Sequence, residues 1–117
     1  MNMECDPNLL RGNTDAILLF LIGEHGTTYG YRLIKDIHSR TGGFMNLKEG
    51  TVYPALHRLE NDGLIEGEWQ KLTGGQERRC YRITLKGERV LEGKMAMLES
   101  FMSAMQHIFQ PAGELPT

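Results

Sequence analysis

Hydrophobic and polar positions follow three different rhythms along this chain, and the changes of rhythm mark its elements. Ala16-Ile17-Leu18-Leu19-Phe20-Leu21-Ile22 is an unbroken run of seven apolar residues. It predicts a helix to about Glu24 that stops at Gly26, with Asn13 or Thr14 as cap and Asp15 in its first turn, where the dipole favours an anion. Such a run covers every side of the cylinder, so this helix should be covered from two directions, the second cover being open to another subunit. A second helix is predicted from Tyr29 to about Arg40, started by Thr27 or Thr28 and closed by Gly42-Gly43. Leu33, Ile34 and Ile37 form its stripe, and Gly30 permits a close approach by a neighbour.

The segment Lys48 to Ile65 contains a third helix on which the rest converges. At about 100° per residue, Val52, Leu56, Leu59 and Gly63 share a narrow arc. Gly50, Pro54, His57 and Asn61 lie opposite, with Thr51 and Arg58 on one shoulder and Tyr53 on the other. The apolar arc anchors the helix, while the other arc offers short polar, cationic and aromatic groups suited to base edges and phosphate oxygens. Taken alone, the segment reads equally well as an ordinary amphipathic surface helix. After Gly63 the period shortens to two. Leu64–Lys71 and Arg78–Thr84 flank the turn material Leu72–Glu77, which predicts a β-hairpin with Arg79, Tyr81 and Ile83 on one side of its second strand. Trp69 and Tyr81 are expected in the core at the hairpin's base.

Thr84 then caps a last helix, Leu85 to about Gln110, ended by Pro111. Leu91, Met95, Leu98, Met102, Met105 and Phe109 follow a 4-3-4-3-4 spacing, a heptad seam. A second seam of Val90, Met97, Phe101, Ala104 and Ile108 runs beside it. One terminal helix cannot bury so wide a face alone, so both terminal helices call for a dimer. The expected interface is Leu10, Ile17 and Leu21 with Leu91, Met95, Leu98, Met102, Met105 and Phe109. The sharper alternative to plain packing is an apolar effector pocket at the dimer axis, lined by Ile17, Met95, Met97, Phe101 and Met102.

The fold class is therefore mainly α with a small β-hairpin: a winged helix-turn-helix plus a long C-terminal dimerisation helix. The division expected is 1–84 for the winged helix-turn-helix, 85–110 for the dimerisation helix and 111–117 for a flexible tail. A reading helix followed directly by a hairpin puts the hairpin in the place of a wing. Lys71, Arg78 and Arg79 then stand where they can meet a sugar-phosphate backbone, or are plain surface cations of a solvated hairpin. Lys48, Thr51, Tyr53, Pro54, His57 and Arg58 are the candidates on the helix itself.

With 117 residues, 40% hydrophobic and 24% charged, the chain is one globular unit with a real core. Its net charge of −2 does not advertise a nucleic-acid partner, so any basic character must be local. Cys5 and Cys80 are too few for a disulfide scaffold and have no metal spacing. Cys5 is expected in a mobile tail. No apolar run is long enough to span a bilayer and no export signal is evident, so the cytoplasm is the expected location. Paired carboxylates, a Cys/His couple and a phosphate-cradling glycine loop are all missing from plausible contexts, and the four histidines are scattered. No enzyme, cofactor or metal is expected.

The residues also resemble a known family. Leu10-Arg11-Gly12, Tyr29-Gly30-Tyr31, Glu49-Gly50-Thr51-Val52-Tyr53-Pro54-Ala55-Leu56, Leu59-Glu60-Asn61-Asp62-Gly63-Leu64-Ile65 and Arg79-Cys80-Tyr81-Arg82-Ile83-Thr84-Leu85-Lys86-Gly87 are similar to the PadR family of bacterial winged-helix regulators. The short members, with a single C-terminal helix, match best, and the likeness runs from Leu9 to Gly87. It implies a homodimer with interlocked terminal helices, repression of nearby genes through a pseudo-palindromic operator on double-stranded DNA, and in some members release by a phenolic acid or a flat hydrophobic drug. It places Thr51, Tyr53 and Pro54 at the DNA-facing start of the helix, with Tyr53 bonding a phosphate and Arg58 reaching a phosphate or base edge. Lys48 stands where a small hydroxyl cap is common. Drug-binding short members carry a tryptophan in the last helix, whereas here the last helix offers methionines and the one tryptophan, Trp69, lies in the wing. The competing reading is a winged-helix protein-protein interaction module that does not bind DNA.

Overall fold

The structure, a computed structural model, describes residues 3–111. It contains α1 (Pro7–Leu10), α2 (Thr14–His25), β1 (Thr28–Tyr29), α3 (Gly30–Arg40), α4 (Glu49–Asn61), β2 (Ile65–Lys71), β3 (Glu77–Ile83) and α5 (Leu85–Ile108). The strands form a three-stranded antiparallel sheet in the order β1-β3-β2. This is the mainly α fold with a hairpin wing and a long last helix that the periodicities predict.

The seven-residue apolar run becomes the centre of the molecule. α3, α4, β3 and α5 all pack on α2, and Leu18, Leu19, Leu21 and Ile22 are buried. Each fully buried leucine or isoleucine contributes about 1.5–3 kcal/mol. The covering of α2 is therefore largely supplied within one chain, and Phe20, 40% exposed, is the side left open. Leu21 and Leu10 belong to this core at 4% and 8% exposure, so as interface residues they are corrected: they have almost no surface to offer a partner. Ile17 is partly buried against the same core.

Two short elements have no periodic signature. α1 is a single turn capped by Asp6, whose carboxylate accepts from Asn8 N at 2.8 Å. It brings Cys5 under cover, with its N–H donating to Phe44 O at 2.7 Å. The expected mobile tail is thus replaced by a tethered segment with a buried thiol. β1 exists only because β3 supplies its partner, pairing Thr28 with Tyr81 and Tyr29 with Cys80. Thr28 is a strand residue here, and extended Tyr29 takes the N-cap of α3 without a side-chain bond. Lys48 caps α4 equally without a side-chain bond, as its residue type implies.

The exit of α4 and the start of α5 are fastened together. Gly63 adopts φ 76° to end α4. The Thr84 hydroxyl accepts from Gly87 N at 3.0 Å and donates to Gly63 O at 2.7 Å. A Cβ on Gly87 would stand 2.0 Å from Leu64 O, so only glycine admits α5 this close to the α4–β2 corner.

Beyond Leu91, most of α5 is exposed, with only Leu98 and Met105 partly covered. Met97, Phe101 and Ile108 are 71%, 59% and 74% exposed. The radius of gyration is 17.1 Å, against about 13 Å for a compact chain of this length. α5 reaches Ile108, and the tail expected over 111–117 lies, apart from Pro111, outside the described residues.

A charged stitch joins the ends of α2 and α3. His25 Nε2 lies 2.7 Å from Asp36 Oδ2, Arg40 Nε donates to Asp36 Oδ1 at 3.2 Å, and Arg40 also pairs with Glu24. The bond to His25, followed by the Arg40 contacts, holds the Asp36 carboxyl below its ordinary value of 3.8. A depressed carboxyl stabilises the fold above its unfolded pKa and loses that contribution as pH falls through the folded one. Asp36→Asn should lower stability at neutral pH by about 1 kcal/mol. In urea unfolding the gap from the parent should narrow as the pH is taken below 3.8.

Candidate nucleic-acid interface

α4 is anchored through Val52, Ala55, Leu56 and Leu59, all buried. That fixes which side faces outward. Lys48, Thr51, Tyr53, Pro54, His57 and Arg58 are all exposed, so every candidate on this helix lies at the surface. Pro54 interrupts the helical hydrogen bonding, yet the helix continues through it because the buried arc holds it on both sides.

The exposed side of α4 forms a ridge between two recesses. On one side Lys48, Thr51 and Arg58 border a recess of about 510 Å³ with Arg11, Thr14 and Asn46, floored by Leu10, Leu47 and Ala55. On the other, Tyr53 and His57 border an open cleft of about 1210 Å³ shared with Tyr29, Tyr31, Trp69, Arg78 and Arg79. Wing and helix thus flank one groove. Tyr53 is 42% exposed, and its ring lies against Gly30. A Cβ there would stand 2.6 Å from Tyr53 Cε1, so the close neighbour that Gly30 admits is this ring.

The wing departs from expectation in two respects. Trp69 is 63% exposed and is not core, because it lies near the free end of the hairpin. Tyr81 is buried as expected, and burial, then the Glu60 charge, push its hydroxyl pKa up. The wing arginines are not free cations. Arg79 donates to Glu60 Oε2 at 2.5 Å, its guanidinium 5.4 Å from the Trp69 ring centroid. Gly67 has no side chain where Arg79 lies, since a Cβ would meet its guanidinium at 2.8 Å. Arg78 stacks 3.6 Å from the Tyr29 centroid. Lys71 remains exposed at the end of β2. Arg58 likewise has a partner, donating to Asp15 Oδ1 at 2.6 Å.

Arg11, Asn46 and Tyr31 join this surface without having been singled out as site residues. Arg11 and Tyr31 come from segments distant in sequence from α4, and Asn46 from the loop just before it, and no periodicity marks any of the three. Among the described residues no group of three or more His, Cys, Asp or Glu could hold a metal. No described helix is long and apolar enough to cross a membrane.

Residues 18–93 match the model of the transcriptional regulator PadR-like family. The chain belongs to that family. The chain is also 37% identical over 84 residues to an uncharacterized protein of Lysinibacillus sphaericus, covering 72% of this chain and 76% of that one. A transcriptional regulator from Clostridium thermocellum has a similar structure, with TM-score 0.82 and 30% identity over 91% of this chain and 99% of that one. A PadR family regulator from Eggerthella lenta gives TM-score 0.77 and 28% identity over 88% and 87%. As a PadR-like transcriptional regulator the protein belongs to a family that acts by binding DNA.

The Gly30–Tyr53 contact gives a direct check on how the exposed side of α4 is held. Gly30→Ala should cost roughly 1–3 kcal/mol by forcing the ring away. In a background carrying Tyr53→Ala, most of that cost should vanish in urea titrations.

Proposed function

We propose that this PadR-like regulator is a homodimeric repressor acting in the cytoplasm on a pseudo-palindromic operator. Residues 1–84 serve as the DNA-binding unit and residues 85–110 as the dimerisation helix. The observation that carries the reading is the composition of the exposed side of α4: Thr51, Tyr53, His57 and Arg58 stand outward while Val52, Leu56 and Leu59 fix the helix beneath them. In a dimer, two such helices about 34 Å apart enter successive major grooves on one side of the duplex. Lys71 at the wing meets the backbone.

The apolar overhang of α5 supports dimerisation. Met97, Phe101 and Ile108 cannot remain in water at that density without a cover, and a second α5 of the same composition fits it. An effector is supported by a narrower set than the sequence offers. Met97 and Phe101 line a groove of about 650 Å³ with Ala16, Val90 and Leu98. Met95 lies roughly 160° round the helix from Met97, so it and Met102 serve the partner contact instead. A planar hydrophobic ligand closing that groove would shift the spacing of the two α4 helices, provided it binds one spacing better.

Arg58→Ala and Tyr53→Phe should each weaken operator binding by about tenfold in gel shifts, with dimerisation unchanged. Binding should also fall steeply as salt rises. Salt-insensitive or absent DNA binding would favour a protein-binding module instead. Phe101→Glu should convert dimer to monomer in sedimentation at micromolar concentration, since it places a charge in an apolar interface.

A further inference from the structure

The two arginines closest to the reading surface are each held by a carboxylate of the same chain. Arg58 of α4 is paired with Asp15 in the first turn of α2, at 2.6 Å. Arg79 of β3 is paired with Glu60 of α4, at 2.5 Å. Both pairs tie α4 to a neighbouring element, and both are reachable from solvent, with side-chain exposures of 55% and 27% for the first and 30% and 27% for the second. A carboxylate satisfies a guanidinium in the same way as a phosphodiester, through short charge-assisted hydrogen bonds. A phosphate that takes either arginine must therefore displace an equivalent partner and leave an unpaired anion beside the duplex.

On an arbitrary sequence that exchange gains almost nothing. On a sequence whose base edges also bond to α4, the added contacts can supply the difference. We infer that Asp15 and Glu60 limit the affinity for DNA: they occupy Arg58 and Arg79 in the free chain, so that any phosphate taking either arginine has to displace its carboxylate. The inference rests on α4 being the DNA-contacting helix. It fits a chain whose net charge is −2, in which generic attraction to a polyanion is already weak.

The test is fluorescence anisotropy on two probes, a random-sequence duplex and a duplex that the parent protein enriches from a random pool. Asp15→Asn should tighten binding to the random duplex by about two- to fivefold, the range an exposed ion pair accounts for. It should also steepen the dependence of log affinity on log salt by about 0.9 on that probe, the slope expected for one further phosphate contact. On the enriched duplex, where the parent has to break the same pair, affinity should rise by a similar or larger factor while the slope stays the same. Glu60→Gln should act in the same direction. Glu49→Gln is the control, since Glu49 lies in the first turn of α4 and has no ion pair among the described residues. Equal effects of Glu49→Gln and Asp15→Asn would reduce the matter to net charge and overturn the inference. So would weaker binding of Asp15→Asn to both probes, which would make Asp15 a support for Arg58. If the parent enriches no duplex at all, the DNA-contacting role of α4 falls and the inference with it. If enrichment succeeds but random-duplex affinity is unmoved in Asp15→Asn, the inference alone falls.

Discussion

The structure depends on the burial of one apolar cylinder. α2 carries hydrophobic side chains on nearly every side, and α3, α4, β3 and α5 each take part of it out of water. α3 and α4 also pack on each other, so the two helices of the pair reach α2 as a unit. Because α4 packs on α3, β2 and α2 with Val52, Leu56 and Leu59 buried, its outward residues are determined by what its inward residues must bury. The close approaches at Gly30 and Gly87 then refine the position of the reading side, one seating Tyr53 and the other seating α5 against the α4–β2 corner.

Electrostatics qualifies that picture. A protein of this family has to attract a polyanion, yet this chain carries more carboxylates than cations and pairs Arg58 and Arg79 internally. The local field near α4 is therefore a competition between partners for the same guanidinium groups. Exposed pairs of this kind are individually weak, so the core does not depend on them.

α5 is the opposite case, an element whose composition exceeds what its own chain can cover. Only its first turns reach the core, through Val90 and Leu91. The remainder projects, which is why the molecule is longer than a compact chain of its size. Phe20 on α2 and Met97, Phe101 and Ile108 on α5 are left among the exposed apolar side chains.

The order of helices, the hairpin, the capping of α5 by Thr84 and the outward arc of α4 were all legible in the sequence, because each is a periodic or local feature. α1 and β1 were not, being too short to show a period and stable only through distant partners such as Phe44 and Cys80. Trp69 was read as core from its residue type, and its place near the end of a projecting hairpin put it in solvent instead. Leu10 and Leu21 were read as available to a partner, and packing within the chain took them first. The partners of the arginines are separated from them by 43 and 19 positions, so no local pattern could have disclosed them. Sequence alone determined which residues could face DNA, since periodicity sorts inward from outward along each element. Only the tertiary structure decided which of those residues are free and which already have partners, because ion pairs and ring contacts between elements form when distant segments are brought together by burial.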